Sequence, residues 1–266
     1  MHISNKIQTF TYLGGKFSYL PWLLPLIDVP CKHRVDVFGG SAVVLLNMEP
    51  APIETYNDIN GKLVNFFKVL RDQPEELIAK LQLTPHSREE YDAAWYVATD
   101  TPVEQARKFF IRTQQSLFAA GAQNQLKGWA CSIRDSRVSL SEWTSKWLGA
   151  IEGLEEVALR FRTIQIENRD FRFVMKNYDD PNTFFYCDSP YMKDLRSSTK
   201  YEFDFENQDH IDLHYYASNV KGKVAISSYD CEFMRDLYKD FTMHIGPERK
   251  NNRSNTIHKE CLWTNY

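Results

Sequence analysis

Strand and helix signals alternate at both ends of this chain, and helix signals dominate its middle. That pattern predicts an α/β domain with a parallel sheet, interrupted by a mostly helical insert. In the first third, Val35-Asp36-Val37-Phe38 reads as a buried strand stopped by Gly39-Gly40, with a helical run over residues 42–47. Residues 53–56 read as a second strand closed by Asn57-Asp58. A helix over residues 60–71 follows, with Leu63, Phe66, Phe67 and Leu70 on one face. Strand then helix, repeated, puts ligand sites at the carboxyl ends of the strands. From Pro74 to about Phe161 the strand signals thin out. There Val103, Ala106, Phe110, Thr113 and Leu117 suit one helix face, while residues 121–141 lack periodicity and read as a long loop of the kind that usually carries function. Alternation then resumes, with strands expected over 163–167, 183–187, 223–227 and 241–245 and helices over 170–176, 207–220 and 232–239. Cys261-Leu262-Trp263 suits a last strand. The expected division is a core domain from residues 1–73 and 162–266, with the insert spanning 74–161.

A chain of 266 residues with 43% hydrophobic and 25% charged residues has the composition of a folded globular protein. Its longest apolar run, residues 19–27, contains Pro21 and Pro25 and falls short of the roughly 20 residues a membrane helix needs. Five scattered cysteines without a C-x-x-C pair argue against a disulfide framework or a structural zinc site. His210 and His214 stand one helical turn apart with no third ligand nearby, so no metal is expected. With no apolar stretch in the first residues to act as a signal peptide, a monomer in a reducing cytoplasm is the expectation. Net charge is -3, but residues 105–147 carry seven basic residues (Arg107, Lys108, Arg112, Lys127, Arg134, Arg137, Lys146) against two acids. A basic segment on an acidic body suits either a polyanion-binding face or an ordinary solvated helix.

Four short stretches can carry chemistry. At Gly39-Gly40-Ser41 a strand ends in adjacent glycines, which lets backbone approach a ligand closely, and the following helix start offers free N–H groups to an anion. Asn57-Asp58 ends the next strand, where an acid either binds a ribose diol or caps the following helix. Tyr12-Leu13-Gly14-Gly15-Lys16 can hold a carboxylate or phosphate, although it lacks the P-loop spacing. The sharpest is Asp188-Ser189-Pro190-Tyr191, straight after the hydrophobic strand Phe184-Phe185-Tyr186-Cys187. A carboxylate, a turn carbonyl and an aromatic ring so spaced can grip a flat ring that bears an amine.

Taken together, Tyr12 with Gly14-Gly15-Lys16, Asp36 with Phe38 and Gly40, Asn57-Asp58, Asp170-Phe171 and Asp188-Ser189-Pro190-Tyr191 resemble, in order and spacing, the Dam-type DNA adenine-N6 methyltransferases. The resemblance runs over nearly the whole chain and is weakest in the insert. It implies a Rossmann-like, S-adenosylmethionine-dependent sheet with a helical target-recognition insert, acting on double-stranded DNA. It further implies that Lys16 meets the cofactor's carboxylate, Asp58 its ribose, and Phe38 and Phe171 its adenine. Tyr12, Gly14, Gly15, Asp36, Gly39, Gly40, Ser41, Ile59, Asp170 and Asp188 would complete the cofactor's surroundings. Asp188, Ser189, Pro190 and Tyr191 would hold a flipped adenine, and Arg107, Arg112, Lys127, Arg134 and Arg137 would meet phosphates.

Two positions depart from the family pattern. Val37 stands where proline is usual, and Ser189 replaces the first proline of D-P-P-Y. Serine still offers a backbone carbonyl, and preceding Pro190 biases it to an extended backbone. Ser189 nonetheless motivates a second reading, a DNA-binding protein of this type without catalysis. A third keeps methyl transfer but directs it to cytosine N4 or RNA adenine, and an acid at position 188 rather than a serine favours adenine over cytosine.

Overall fold

The computed structural model describes residues 6–12, 14–96, 100–123, 128–134, 140–193, 202–250 and 257–266. The chain divides into two compact units. One comprises the chain up to Gly15 with Gly40–Asn47 and Asn60–Ile164, and the other Lys16–Gly39, Met48–Ile59 and Gln165–Tyr266.

The second unit carries the sheet. Its strands are β1 (His33–Asp36), β2 (Ile53–Asn57), β3 (Ile164–Glu167), β4 (Thr183–Cys187), β5 (Lys223–Tyr229), β6 (Thr242–Lys250) and β7 (Ile257–Thr264). Among the described residues they form one seven-stranded sheet in the order β3-β2-β1-β4-β5-β7-β6. β1 runs parallel to β2 and β4, and β4 parallel to β5. β7 is antiparallel to both β5 and β6. This is the Rossmann-like class that the resemblance implies. The chain moves outward from β1 through β2 to β3 and then returns to lay β4 on the other side of β1. Ligands gather at the carboxyl ends of strands flanking such a switch point.

Burial explains the central strands. β4 is apolar except for Thr183 and buried along its whole length, as a strand covered on both faces must be. Val35, Val37, Phe185, Cys187, Val224, Ile226 and Trp263 join residues of α9 (Phe171–Asn177) and α10 (Asn207–Asn219) in one core. β1 begins two residues earlier than the hydrophobic pattern suggests. Arg34 and Glu54, register partners on β1 and β2, form a buried ion pair at 3.4 Å, so a charged residue sits in a central strand. Val37 and Phe38 lie past the strand's end. Asn57 Nδ2 donates to the Val37 carbonyl at 2.8 Å, and Gly39 N donates to the Asn57 carbonyl at 2.7 Å.

A helix not anticipated from the sequence, α1 (Leu20–Ile27), lies in the same unit. Its prolines hide it. Pro21 occupies the first turn, where a missing N–H costs nothing, and Pro25 is tolerated inside while Leu20, Leu23 and Ile27 are buried on one face. Near the chain's end, α11 (Glu232–Leu237) is shorter than expected, whereas β5 and β6 run longer.

The first unit is helical. It holds α2 (Val43–Leu46), α3 (Gly61–Asp72), α4 (Pro74–Gln82), α5 (Arg88–Ala93), α6 (Pro102–Gln115), a 3-10 turn over Leu117–Gln123, α7 (Glu142–Glu152) and α8 (Leu154–Phe161). Asn60 caps α3 by accepting from Lys62 N at 3.0 Å, which leaves Asp58 out of the cap. Aromatic rings build the interior. Phe66 stacks on Phe110 at 5.7 Å, Phe67 stacks on Phe161 at 4.4 Å, and Phe10 meets Phe66, Phe67 and Phe109. α6 ends at Gln115 because Ser116 turns extended, so Leu117 leaves the helix face expected of it. Within the expected loop, residues 117–123 form the 3-10 turn and Trp129 returns to bridge Ser116. Among the described residues no helix is long and apolar enough to cross a membrane.

Gly39 lies flat against a buried ring, and a Cβ there would fall 2.1 Å from Tyr56 Cε2. Gly39→Ala is therefore expected to destabilise the protein by about 1–3 kcal/mol through overpacking, read as a lower urea midpoint with an unchanged m-value.

Candidate active site

Asp188 follows β4 directly, at the carboxyl end of the strand beside β1. Its carboxylate does not stand alone. Lys16 Nζ lies 2.7 Å from Asp188 Oδ1 and 3.5 Å from Glu260 Oε1, and it sits 4.7 Å from the centroid of the Tyr191 ring. Lys16 is only 2% exposed, so its charge needs these partners. The Tyr191 hydroxyl donates to Glu260 Oε1, and Ser227 Oγ donates to the same oxygen at 2.9 Å. Tyr191 also packs edge-on against Tyr229, with ring centroids 4.6 Å apart. Burial pushes the Asp188 carboxyl up to about 6; Lys16 pulls it down and Glu260 pushes it up. Burial likewise raises the Tyr191 hydroxyl, with Asp188 and Glu260 adding to the effect, so it stays a hydrogen-bond donor.

Sequence reasoning missed Glu260 and Ser227. The one signal that Glu260 carries in the sequence is an acid immediately before the apolar run Cys261-Leu262-Trp263. Lys16 lies against Asp188 in this structure, an arrangement its place in the glycine motif does not reveal.

Around the neighbouring strand ends, three acids and three rings gather. Asp36 is buried, and its Oδ1 has no hydrogen-bond partner among the described residues. Burial, with the charges of Asp188 and Asp58, pushes its carboxyl well above the usual range. Asn168 Nδ2 fixes the loop after β2 by donating to the Asp58 and Ile59 carbonyls at 2.7 and 3.0 Å, and the Ile59 side chain stays exposed. Asp170 caps α9 by accepting from Arg172 N at 2.8 Å, and the Arg172 guanidinium lies over the Phe171 ring. Phe38, Phe171 and Phe205 form a triangle with centroid distances of 5.6, 5.4 and 5.4 Å. Phe205 is a third ring that the motifs do not flag.

The glycine elements show their own geometry in the first unit. Gly14 and Gly40 have positive φ, 76° and 51°, and the Gly15 N–H donates to the Tyr12 carbonyl at 3.0 Å. Gly40 lies against the Tyr12 ring, where a Cβ would come within 3.1 Å of Cε1. Ser41 is buried. The helix expected after the glycines is the single turn of α2, preceded by Ala42 at φ 58°. One turn has almost no macrodipole, so only local N–H groups, rather than a helix terminus, are available to an anion there.

Comparison with known proteins decides the family. The model of the D12 class N6 adenine-specific DNA methyltransferases matches residues 12–252. The chain belongs to that family. The enzyme therefore transfers a methyl group to the N6 amine of adenine in DNA, with S-adenosylmethionine as the family's donor. It is 27% identical to the type II methyltransferase M1.LlaDCHI of Lactococcus lactis subsp. cremoris, over 98% of this chain and 97% of that one. It is 23% identical to the modification methylase StsI of Streptococcus sanguinis, over 96% of this chain and 42% of that protein.

The donor set suits this cofactor. S-adenosylmethionine carries a sulfonium, an ammonium and a flat adenine, and the second unit of the methyltransferase offers the orphaned carboxyl oxygen of Asp36, the nearby Asp58 and the rings of Phe38 and Phe171. Among the described residues no group of three or more His, Cys, Asp or Glu is arranged around a metal.

The basic residues expected at phosphates divide. Arg112 is buried, with its guanidinium 5.3 Å from the Trp95 ring centroid. Arg107 is held by Glu104 at 2.7 Å and Glu90 at 2.9 Å. Both guanidinium groups are therefore engaged within the protein. Arg112 lies on the buried face of α6, whereas Arg107 and its acid partners are half-buried. Arg134 is exposed, and Lys127 and Arg137 lie outside the described residues.

The protonation of Asp188 sets a pH dependence. If its ionised form receives the amine, kcat/KM falls on the acid side with a midpoint near its carboxyl value of about 6. Lys16→Met removes the cation that lowers this value, so the acid limb is expected to move to higher pH in a pH–rate profile.

Proposed function

We propose that Asp188, Ser189, Pro190 and Tyr191 form the catalytic turn, and that this turn receives an adenine flipped out of duplex DNA. The observation that carries the reading is the buried cluster of Lys16, Asp188, Tyr191 and Glu260 at the end of β4. With Asp188 Oδ1 engaged by Lys16, Oδ2 accepts one hydrogen of the target amine, and the Ser189 carbonyl accepts the other. Holding both hydrogens favours a tetrahedral nitrogen and aims its lone pair, which is otherwise delocalised into the ring. The Tyr191 ring supplies a flat wall for the base. S-adenosylmethionine, when bound, supplies an electrophilic methyl group on a sulfonium. Asp188 Oδ2 would take the proton that the amine nitrogen must lose once it carries the methyl group. Catalysis of this kind rests on positioning and electrostatics, with no covalent enzyme intermediate.

For the cofactor, the reading assigns the ammonium and sulfonium to the neighbourhood of Asp36, the ribose to Asp58, and the adenine to Phe38 and Phe171, with Asp170 and Ile59 beside it. Gly39, in the same unit, completes its surroundings through backbone. Lys16 acts through Asp188 rather than through the cofactor's carboxylate. Target recognition falls to residues 74–161, with Arg134, Lys127 and Arg137 as phosphate contacts. The names of the two relatives support a biological role as the modification enzyme of a type II restriction system.

Incubation with methyl-labelled S-adenosylmethionine and unmethylated duplex DNA, followed by nucleoside analysis, is expected to yield N6-methyladenine. Asp188→Ala is expected to lower turnover by at least about 100-fold with an unchanged circular-dichroism spectrum. N4-methylcytosine in the digest, or near-normal turnover of Asp188→Ala, would overturn the assignment.

A further inference from the structure

Glu260 is a carboxylate in the interior of a sheet, 2% exposed, and three groups converge on one of its oxygens. β5 and β7 build this point together. Glu260 is the register partner of Tyr229, and Ser227 lies two residues before Tyr229, so all three side chains share one face of the sheet. Tyr191 lies against that face, its ring on Tyr229 and its hydroxyl on Glu260. A paired strand is a rigid support, whereas the Asp188-Ser189-Pro190-Tyr191 turn has no ladder of its own.

We propose that Glu260 is a positioning residue for methyl transfer. Its carboxylate holds the Tyr191 hydroxyl and the Lys16 ammonium, and through them it sets the orientation of the Asp188 carboxylate that receives the amine. This rests on the reading of residues 188–191 as the catalytic turn. A purely structural role explains the arrangement less well. Lys16 and Asp188 already balance one another, so a second buried acid beside them carries a desolvation cost that a merely structural cluster has no need of. The same charge raises the Asp188 carboxyl. Glu260 therefore has two effects on Asp188, geometric and electrostatic, and both are readable.

The test uses the full chain, methyl-labelled S-adenosylmethionine and unmethylated genomic DNA. Glu260→Gln keeps the shape and removes the charge. The expected result is a kcat lower by about 10- to 100-fold, with the dissociation constant for S-adenosylmethionine, measured by calorimetry without DNA, within about threefold of wild type. The acid limb of the rate profile is expected to move to lower pH, because the charge that raises Asp188 is gone. Unchanged kcat with an unmoved limb overturns the proposal, as does a loss of activity accounted for wholly by weaker cofactor binding. Should Glu260→Gln fail to fold, Tyr191→Phe decides. It keeps the stacking ring and removes the hydroxyl that Glu260 holds and that also bonds Asp188, so a kcat loss of about tenfold with the S-adenosylmethionine dissociation constant within about threefold of wild type supports the proposal, and wild-type kcat overturns it. A wild-type protein that forms no N6-methyladenine would sink the reading of the site itself and the proposal with it, whereas an active wild type beside an equally active Glu260→Gln sinks the proposal alone.

Discussion

One buried ammonium organises the catalytic end of the sheet. Lys16 stands between Asp188 and Glu260 and over the Tyr191 ring, almost entirely out of water. A lysine so placed keeps its charge only if carboxylates surround it, and carboxylates so placed stay ionised only if a cation balances them. The balance here is deliberately uneven, with two acids for one base. Burial and Glu260 raise the Asp188 carboxyl to about 6 against the pull of Lys16, a value that suits the proposed role of accepting a hydrogen bond and then a proton.

The sheet makes this meeting of distant residues possible. Asp36 ends β1, and Asp58 and Asp188 directly follow β2 and β4; the three strands are adjacent and parallel, so their carboxyl ends open to the same side. Glu260 and Ser227 arrive from β7 and β5, where antiparallel pairing fixes which residues share a face. Crowding acids at one rim raises their affinity for protons, and equally for a cationic ligand. A sulfonium nucleoside is such a ligand, and the Phe38, Phe171 and Phe205 rings lie beside Asp36 in the same unit.

Much of the fold was legible because its signals are local. Alternating strand and helix periods, apolar central strands and glycine turns identified the α/β class and most of its elements. The misses share a physical origin. α1 was hidden by two prolines that helix positions tolerate when one face is buried. β1 was displaced because Arg34 is neutralised by Glu54 on the neighbouring strand, a partner twenty positions away. Arg107 and Arg112 read as free basic charge, yet Arg107 is held by Glu90 and Glu104, and Arg112 lies on the buried face of α6 beside the Trp95 ring.

The order and spacing of five short motifs were enough, without coordinates, for a resemblance to the DNA adenine methyltransferases, and that resemblance implied adenine and a sulfonium donor, because short motifs at strand ends and turns are local and stand in the sequence itself. Only tertiary structure decided who partners whom. Lys16 and Asp188 are separated by 172 positions, and Tyr191 and Glu260 by 69. No local pattern encodes such pairings. They follow from strand order and from the requirement that every charge carried into the interior finds its complement there.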